Sequence, residues 1–427
     1  MRYSGKLPLL SWSVAPVLGV LMLVGLASLA MPLKPLPPAT LESDAFVVLS
    51  EVVTEQWPAT LPLVNSPTDV MLLNPGQCIR VAAIASGYGH AHYFKGANIS
   101  WFVSHSGKVD SFPMKPVSAS KQVRPDLSGI AKDAAGTVGV EAPPQHTTTA
   151  ATLAVAEGQW CVPQGAADQA IEIQVTVKEA EKVTVLKPRK IQIESLETAA
   201  NKTFQDDKEL ASFMRRYHVS PEPGRLLPAF KFLMTSGSTS AISYTFLKAA
   251  FQHDGATVQG FGPLLATAPG DLKVRAASLL TEAEVELREP LALTAEEKKA
   301  IATVPRIPDG YDMKPTPELA ARLDLLWTEF AATGKLQPVD AIISALEWRA
   351  DFEAYDAMTK AGEKPTEMTE SMARGLAYSA ARRSLASFQQ NDPLAADYID
   401  AIRNDSSTEA NIKAELTHLR TNPVAAR

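Results

Sequence analysis

Cysteine is almost missing from this chain: among 427 residues only Cys78 and Cys161 occur. Thiol chemistry is thereby limited to one bridge or two separate buried thiols. Neither sign of charge dominates. The 41 basic and 47 acidic side chains leave a net charge of −6, with no basic footprint for nucleic acid. Catalytic signatures are missing as well. There is no G-x-S-x-G elbow, and Gly87, Gly89 and Gly96 are followed neither by G-K-[ST] nor by a helical pattern, so they form no phosphate loop. The serine-rich run Thr235 to Ser240 reads as a turn between helices with capping hydroxyls. Glu282, Glu284, Glu286, Glu289, Glu296 and Glu297 flank Pro290. They read as a solvated face, with an acid–base pair among them as the sharper reading.

What the chain does have is a long apolar run at its start. No charged side chain lies between Lys6 and Lys34, and Val14 to Met31 is almost continuously apolar. As a helix that stretch is roughly 27 Å long, close to the hydrocarbon thickness of a bilayer. Arg2 and Lys6 precede it, whereas Glu42 and Asp44 follow. The positive-inside rule then keeps the N-terminus in the cytoplasm and exports the body. A cleaved signal peptide is the competing reading, because Ser28-Leu29-Ala30 offers small residues for a cleavage site and Pro16 shortens the apolar core. Both readings export the rest of the chain: anchored in a bacterial inner membrane by a single pass, or soluble in the periplasm. Residues 32–44, with Pro32, Pro35, Pro37 and Pro38, form a semi-rigid polyproline spacer. The sequon Asn98-Ile99-Ser100 matters only in a eukaryotic secretory pathway, against which the alanine-rich composition speaks.

Residues 45–195 carry a β pattern. Ile79, Val81 and Ala83 alternate with Arg80 and Ala82 after the turn Asn74-Pro75-Gly76. Ile99, Trp101 and Val103 alternate again, and Ser106-Gly107 follows as a hairpin turn. The clearest strand is Ile171, Ile173, Val175 and Val177. Val183, Val185, Ile191 and Ile193 continue the apolar theme around Pro188. Short strands joined by Pro/Gly turns imply an antiparallel sandwich. The order Cys78, Trp101, Cys161 resembles the immunoglobulin-type cysteine–tryptophan–cysteine arrangement, in which the tryptophan packs on a bridge between the sheets. The Cys78–Trp101 spacing exceeds that pattern, and Gln159 stands where the pattern has tyrosine, so the resemblance implies architecture alone. In an exported domain the two cysteines pair, which stabilises by about 4 kcal/mol in the chain-entropy model. The stretch 116–149, rich in Ser, Gly, Ala, Pro and Thr, reads as a mobile insertion, or as an arm that orders on a partner.

From residue 196 to 427 the period is helical. Leu226, Leu227, Phe230 and Leu233 share one helix, and Ile242, Phe246 and Phe251 the next. Further helices are expected over about 256–266, 271–282, 294–304, 316–333, 338–358, 365–389, 393–403 and 408–420. Three times an apolar helix closes on Phe (Phe251, Phe330, Phe388), then a polar turn leads into another apolar helix. The unequal intervals give no fixed repeat, and read as helical hairpins of an irregular solenoid.

Three of the seven histidines, His90, His92 and His105, fall within 16 residues. In a strand His90 and His92 share a face, and a hairpin brings His105 opposite, a set suited to zinc or copper. A hydrolase of the HxHxDH kind needs an acid where Phe94 stands. Trp57, Trp101 and Trp160 are candidate sugar or partner platforms, or core residues of the sandwich. The expected fold is a membrane-anchored multidomain α+β chain: a single N-terminal helix, an immunoglobulin-like antiparallel β-sandwich, and an all-α, solenoid-like helical-hairpin domain. The expected function is a non-enzymatic periplasmic scaffold or adaptor, binding protein partners of an envelope assembly and no cofactor. The alternative is a metal-binding protein or metal-dependent hydrolase using the three histidines.

Overall fold

The computed structural model describes residues 45–51, 71–85, 98–105, 108–113, 115–117, 154–179, 181–186, 188–218, 221–236, 240–362 and 367–421. The N-terminal apolar run, the spacer, Trp57, His90, His92 and residues 118–149 lie outside them. Among the described residues no helix is long and apolar enough to cross a membrane.

Among the described residues ten strands precede the helices: β1 (Ala45–Glu51), β2 (Met71–Leu73), β3 (Cys78–Ala85), β4 (Asn98–His105), β5 (Lys108–Pro113), β6 (Lys115–Val117), β7 (Ala154–Cys161), β8 (Gln169–Glu179), β9 (Lys182–Val185) and β10 (Arg189–Ile193). They form a four-stranded sheet in the order β1-β3-β7-β6 and a six-stranded sheet in the order β2-β10-β8-β4-β5, with β9 beside β8. The period-two pattern decides which side chains point inward. Ile99, Trp101 and Val103 of β4 and Ile171, Ile173, Val175 and Val177 of β8 are buried. From the other sheet Ile79, Val81 and Trp160 join the same core. Fully burying each such aliphatic side chain contributes about 1.5–3 kcal/mol. The β4–β5 hairpin sets His105 opposite Lys108, as the Ser106-Gly107 turn implies.

Four sequence expectations need correction here. The larger sheet is mixed rather than antiparallel, because β2 runs parallel to β10. Alternation fixes a strand's faces but carries no information about the direction of a neighbour 120 residues away. The cysteines do bridge, but Cys78 and Cys161 are register partners on β3 and β7. The bond therefore lies within one sheet, unlike the inter-sheet bridge of the immunoglobulin pattern. Pro116 and Val117, assigned to the insertion, belong to β6, which pairs with β7.

The fourth correction concerns Val183 and Val185, which point outward at 55% and 53% exposure while Thr184 and Leu186 are buried. Thr176 of β8 faces Val185, but Ile173 faces Arg189. Three steps along β8 therefore match four along its neighbour. The one extra residue between Val185 and Arg189 makes a bulge. It exchanges inside for outside, so that Ile191 and Ile193 return to the core.

The helical part comprises α1 (Leu196–Ala200), α2 (Asp207–Arg216), α3 (Leu226–Ser236), α4 (Ala241–His253), α5 (Gly255–Val258), α6 (Gly262–Ala266), α7 (Gly270–Glu282), α8 (Ala295–Ile301), α9 (Leu319–Thr333), α10 (Gln337–Ser344), α11 (Arg349–Lys360), α12 (Glu370–Asn391), α13 (Pro393–Asn404) and α14 (Ala410–Thr421). Local chemistry sets many of the boundaries. Ser195, Asp206, Ser240, Thr294, Thr369 and Asp392 each accept a backbone N–H as N-cap. Gly334, at φ 63°, ends α9 by donating to the Phe330 carbonyl at 2.7 Å. Two expected helices are broken. Residues 256–266 split at a 3-10 turn, Gln259–Phe261, where Gly260, Gly262 and Pro263 weaken the helix. Residues 338–358 split at another, Ala345–Trp348. The helices enclose two cores. One gathers residues from Phe204 to Ala283, with Ala332 of α9, around Phe230, Phe246 and Phe261. The other runs from Leu319 to Leu419 around Phe330, Tyr378 and Leu385. Phe330 and Phe388, each closing an apolar helix, meet edge to face at 6.2 Å.

Candidate functional site

Of the site residues expected from sequence, Trp101, Trp160 and His105 fall among the described residues. Trp101 is fully buried: its ring lies 4.8 Å from that of Phe112, and a Cβ on Gly158 of β7 would come within 2.5 Å of its Nε1. Trp160 is 7% exposed in the same core. A stacking platform needs an open ring face, so both take the core reading, while Trp57 lies outside the described residues. His105 ends β4, whereas His90 and His92 lie outside the described residues. Among the described residues no three His, Cys, Asp or Glu side chains stand together to hold a metal.

Titratable groups concentrate in the helical part, and they are paired with one another. At the end of α4, Asp254 accepts from the Tyr217 hydroxyl at 2.6 Å and lies 3.3 Å from His253 Nδ1. Burial pulls the His253 pKa down and Lys335 opposes its charge, but the hydrogen bond and charge of Asp254 prevail and raise it. Tyr311 donates to Glu329 at 3.1 Å and Tyr398 to Asp340 at 2.5 Å. Burial raises the proton affinity of both carboxyls, with their tyrosines acting in the opposite sense. Glu415, buried on α14, accepts from Tyr378 and Arg349 at 2.8 Å each, with Arg382 Nε at 3.7 Å. Burial and then Glu415 push Tyr378 up to about 12. His218, nearly inaccessible, reaches Asp392 at 2.9 Å and lies against Phe330.

An open cleft of about 440 Å³ lies between α7 and α8, lined by Asp271, Val274, Arg275, Glu296, Glu297 and Val304 among others. Its polar groups are partly committed. Glu297 closes a capping box with Thr294 and pairs with Lys273 at 3.2 Å. The backbone hydrogen bond from Thr294, then Lys273, hold its carboxyl below the ordinary range. Arg275 donates to the Tyr244 hydroxyl at 3.0 Å. Catalytic pockets unite a cavity with groups of perturbed proton affinity. Here the carboxyls raised by burial, Asp324, Glu329 and Asp340, and His253 do not line the cleft.

Two other features face outward or across the molecule. On the outer face of the six-stranded sheet stand Val109, Val183 and Val185, 53–63% exposed, with Phe102 half-exposed between them on β4. The second is a seam between sheets and helices, centred on the turn Asn74–Gln77. Asn74 Oδ1 accepts from Gly224 N at 2.8 Å, and its Nδ2 donates to the Glu194 carbonyl at 3.0 Å. Thr257 donates to the Pro75 carbonyl, and Gln77 Nε2 to that of Pro221. Gly76, at φ +86°, lies so close to Ala256 that a Cβ would stand 2.9 Å from its carbonyl. Gln164 Nε2 adds a bond to Ala256 O. In the sequence this turn is only a strand boundary: the partners of Asn74 lie 120 and 150 residues away. Comparison of the chain with protein-family models, characterised proteins and solved structures gives no match.

Proposed function

We propose that this protein is a non-enzymatic scaffold or adaptor of a membrane-associated envelope assembly. The N-terminal apolar helix holds it in a bacterial inner membrane, and the spacer sets the body in the periplasm. In this reading the strands form an immunoglobulin-like sandwich and the helical hairpins a solenoid-like array, each presenting a face to protein partners. The observation that carries the proposal is the outward-turned apolar set Val109, Val183 and Val185 on one sheet face. Apolar side chains at solvent-facing strand positions suit association with another protein. The buried seam supports it further, since it lets both regions offer surfaces in fixed relation. The separation of the cleft from the groups of raised proton affinity favours docking over catalysis.

The test is chemical cross-linking of the native membrane fraction, then affinity capture and mass spectrometry. A reproducible partner set in a high-mass complex is expected. It should be lost in the doubly substituted chain Val183→Asp, Val185→Asp, with the circular dichroism unchanged. Recovery of the chain alone as a monomer overturns the proposal.

A further inference from the structure

We propose that the Cys78–Cys161 bridge is a redox-addressable clamp on the seam between sheets and helices. The bond occupies the terminal register pair of β3 and β7, at the end of the ladder that adjoins the seam. Beyond it the two chains are held to each other by Val162 N–H to the Gln77 carbonyl, 2.9 Å, and Gly76 N–H to the Val162 carbonyl, 3.0 Å. Both segments that it ties meet the helices. Residues 74–77 bond Gly224, Pro221 and Thr257, and Gln164 bonds Ala256. Ladder ends fray first, so the bridge fastens the point from which the seam would open. The sandwich core does not depend on it in the same way, since the larger sheet carries most of that cluster.

Cys161 is the exposed partner, and Cys78 is only partly accessible. Exposed disulfides are the ones open to exchange. A thiolate of a dithiol reductant attacks Sγ of Cys161, the Sγ–Sγ bond breaks, and Cys78 leaves as a thiolate that takes up a proton. The reductant's second thiol then attacks the mixed disulfide and releases Cys161. Two electrons and two protons pass to the protein, and the dithiol leaves as its own disulfide. The product is a molecule with intact cores and a loosened seam.

Hydrogen exchange of the full-length chain, before and after dithiothreitol under native conditions, tests this, with alkylation confirming two free thiols. The amides of Gly76, Val162 and Gly224 should exchange at least about tenfold faster after reduction, while those of Val175 and Phe246 stay protected. Reoxidation should restore the starting pattern. The double substitution Cys78→Ser, Cys161→Ser should match the reduced protein, and Asn74→Ala should loosen the Gly224 amide with the bridge closed. Three results overturn the proposal: a bridge that resists dithiothreitol in the folded protein, unchanged seam amides in a fully reduced one, or simultaneous loss of protection in the cores.

Discussion

The sheets and the helices bury different chemistry. The core of the sheets is made of aliphatic side chains and two tryptophans. The helical part sets carboxylates, tyrosines and histidines among its apolar residues, as at Glu415, Glu329 and His218. The physical reason is where each architecture places its backbone polar groups. A strand spends them on its lateral neighbours and offers one face of alternate side chains to a thin core. A helix satisfies its own backbone, and the grooves between helices admit long side chains that can pair with one another.

Substitutions can break or sharpen that contrast. The largest effect is expected from Trp101→Ala, which empties the core of the sheets against Gly158 and should cost about 3–5 kcal/mol. In denaturant titration near-ultraviolet signals should fall before the helical circular dichroism; one shared transition would mean that the two regions unfold as a single unit. Next comes Glu415→Gln, at about 2–3 kcal/mol, because Tyr378, Arg349 and Arg382 lose a charged acceptor. Its loss should appear in helical unfolding and leave tryptophan burial in the sheets unchanged. Asn74→Ala should cost about 2 kcal/mol by leaving the Gly224 N–H and Glu194 carbonyl without their partner, and should bring the two transitions apart.

A smaller effect concerns pH. The folded-state pKa of His253 is raised above its ordinary 6.5. Its contribution to stability is therefore complete below that value and is lost as pH rises through the folded one. Melting temperature should decline across that window, and Asp254→Asn should flatten the decline. Smallest of all, Val183→Ala should change stability by no more than about 0.5 kcal/mol, whereas Ile191→Val, in the core, should cost about 0.5–1.5 kcal/mol. Equal damage at both positions would remove the bulge from the description.

Much of the helical part was legible in the sequence, because its signals are local. Ser240 stands ahead of α4 and Gly334 behind α9, each within a turn of the boundary it sets, whereas the start expected at 365 precedes α12, which Thr369 caps, by five residues. The 3-10 breaks were not legible at Ala345–Trp348, where no proline or glycine marks the kink. In the sheets alternation located β3, β4 and β8, and the cysteine pair its bridge. It missed the direction of β2, the sheet to which each cysteine belongs, and the reversal at Pro188. Those depend on which strand comes to lie alongside, a property of distant residues. The seam was the least legible feature. Asn74 looks like any turn asparagine until Gly224 and Glu194 are brought to it.

The bridge has a consequence of connectivity. With 83 residues of separation between its sulfurs, it makes the chain from Cys78 to Cys161 a closed ring from which the two ends emerge side by side. A protease that cuts anywhere inside that ring opens it without parting the molecule. The nicked protein should migrate as one species on a non-reducing gel and fall into two fragments once thiol is added.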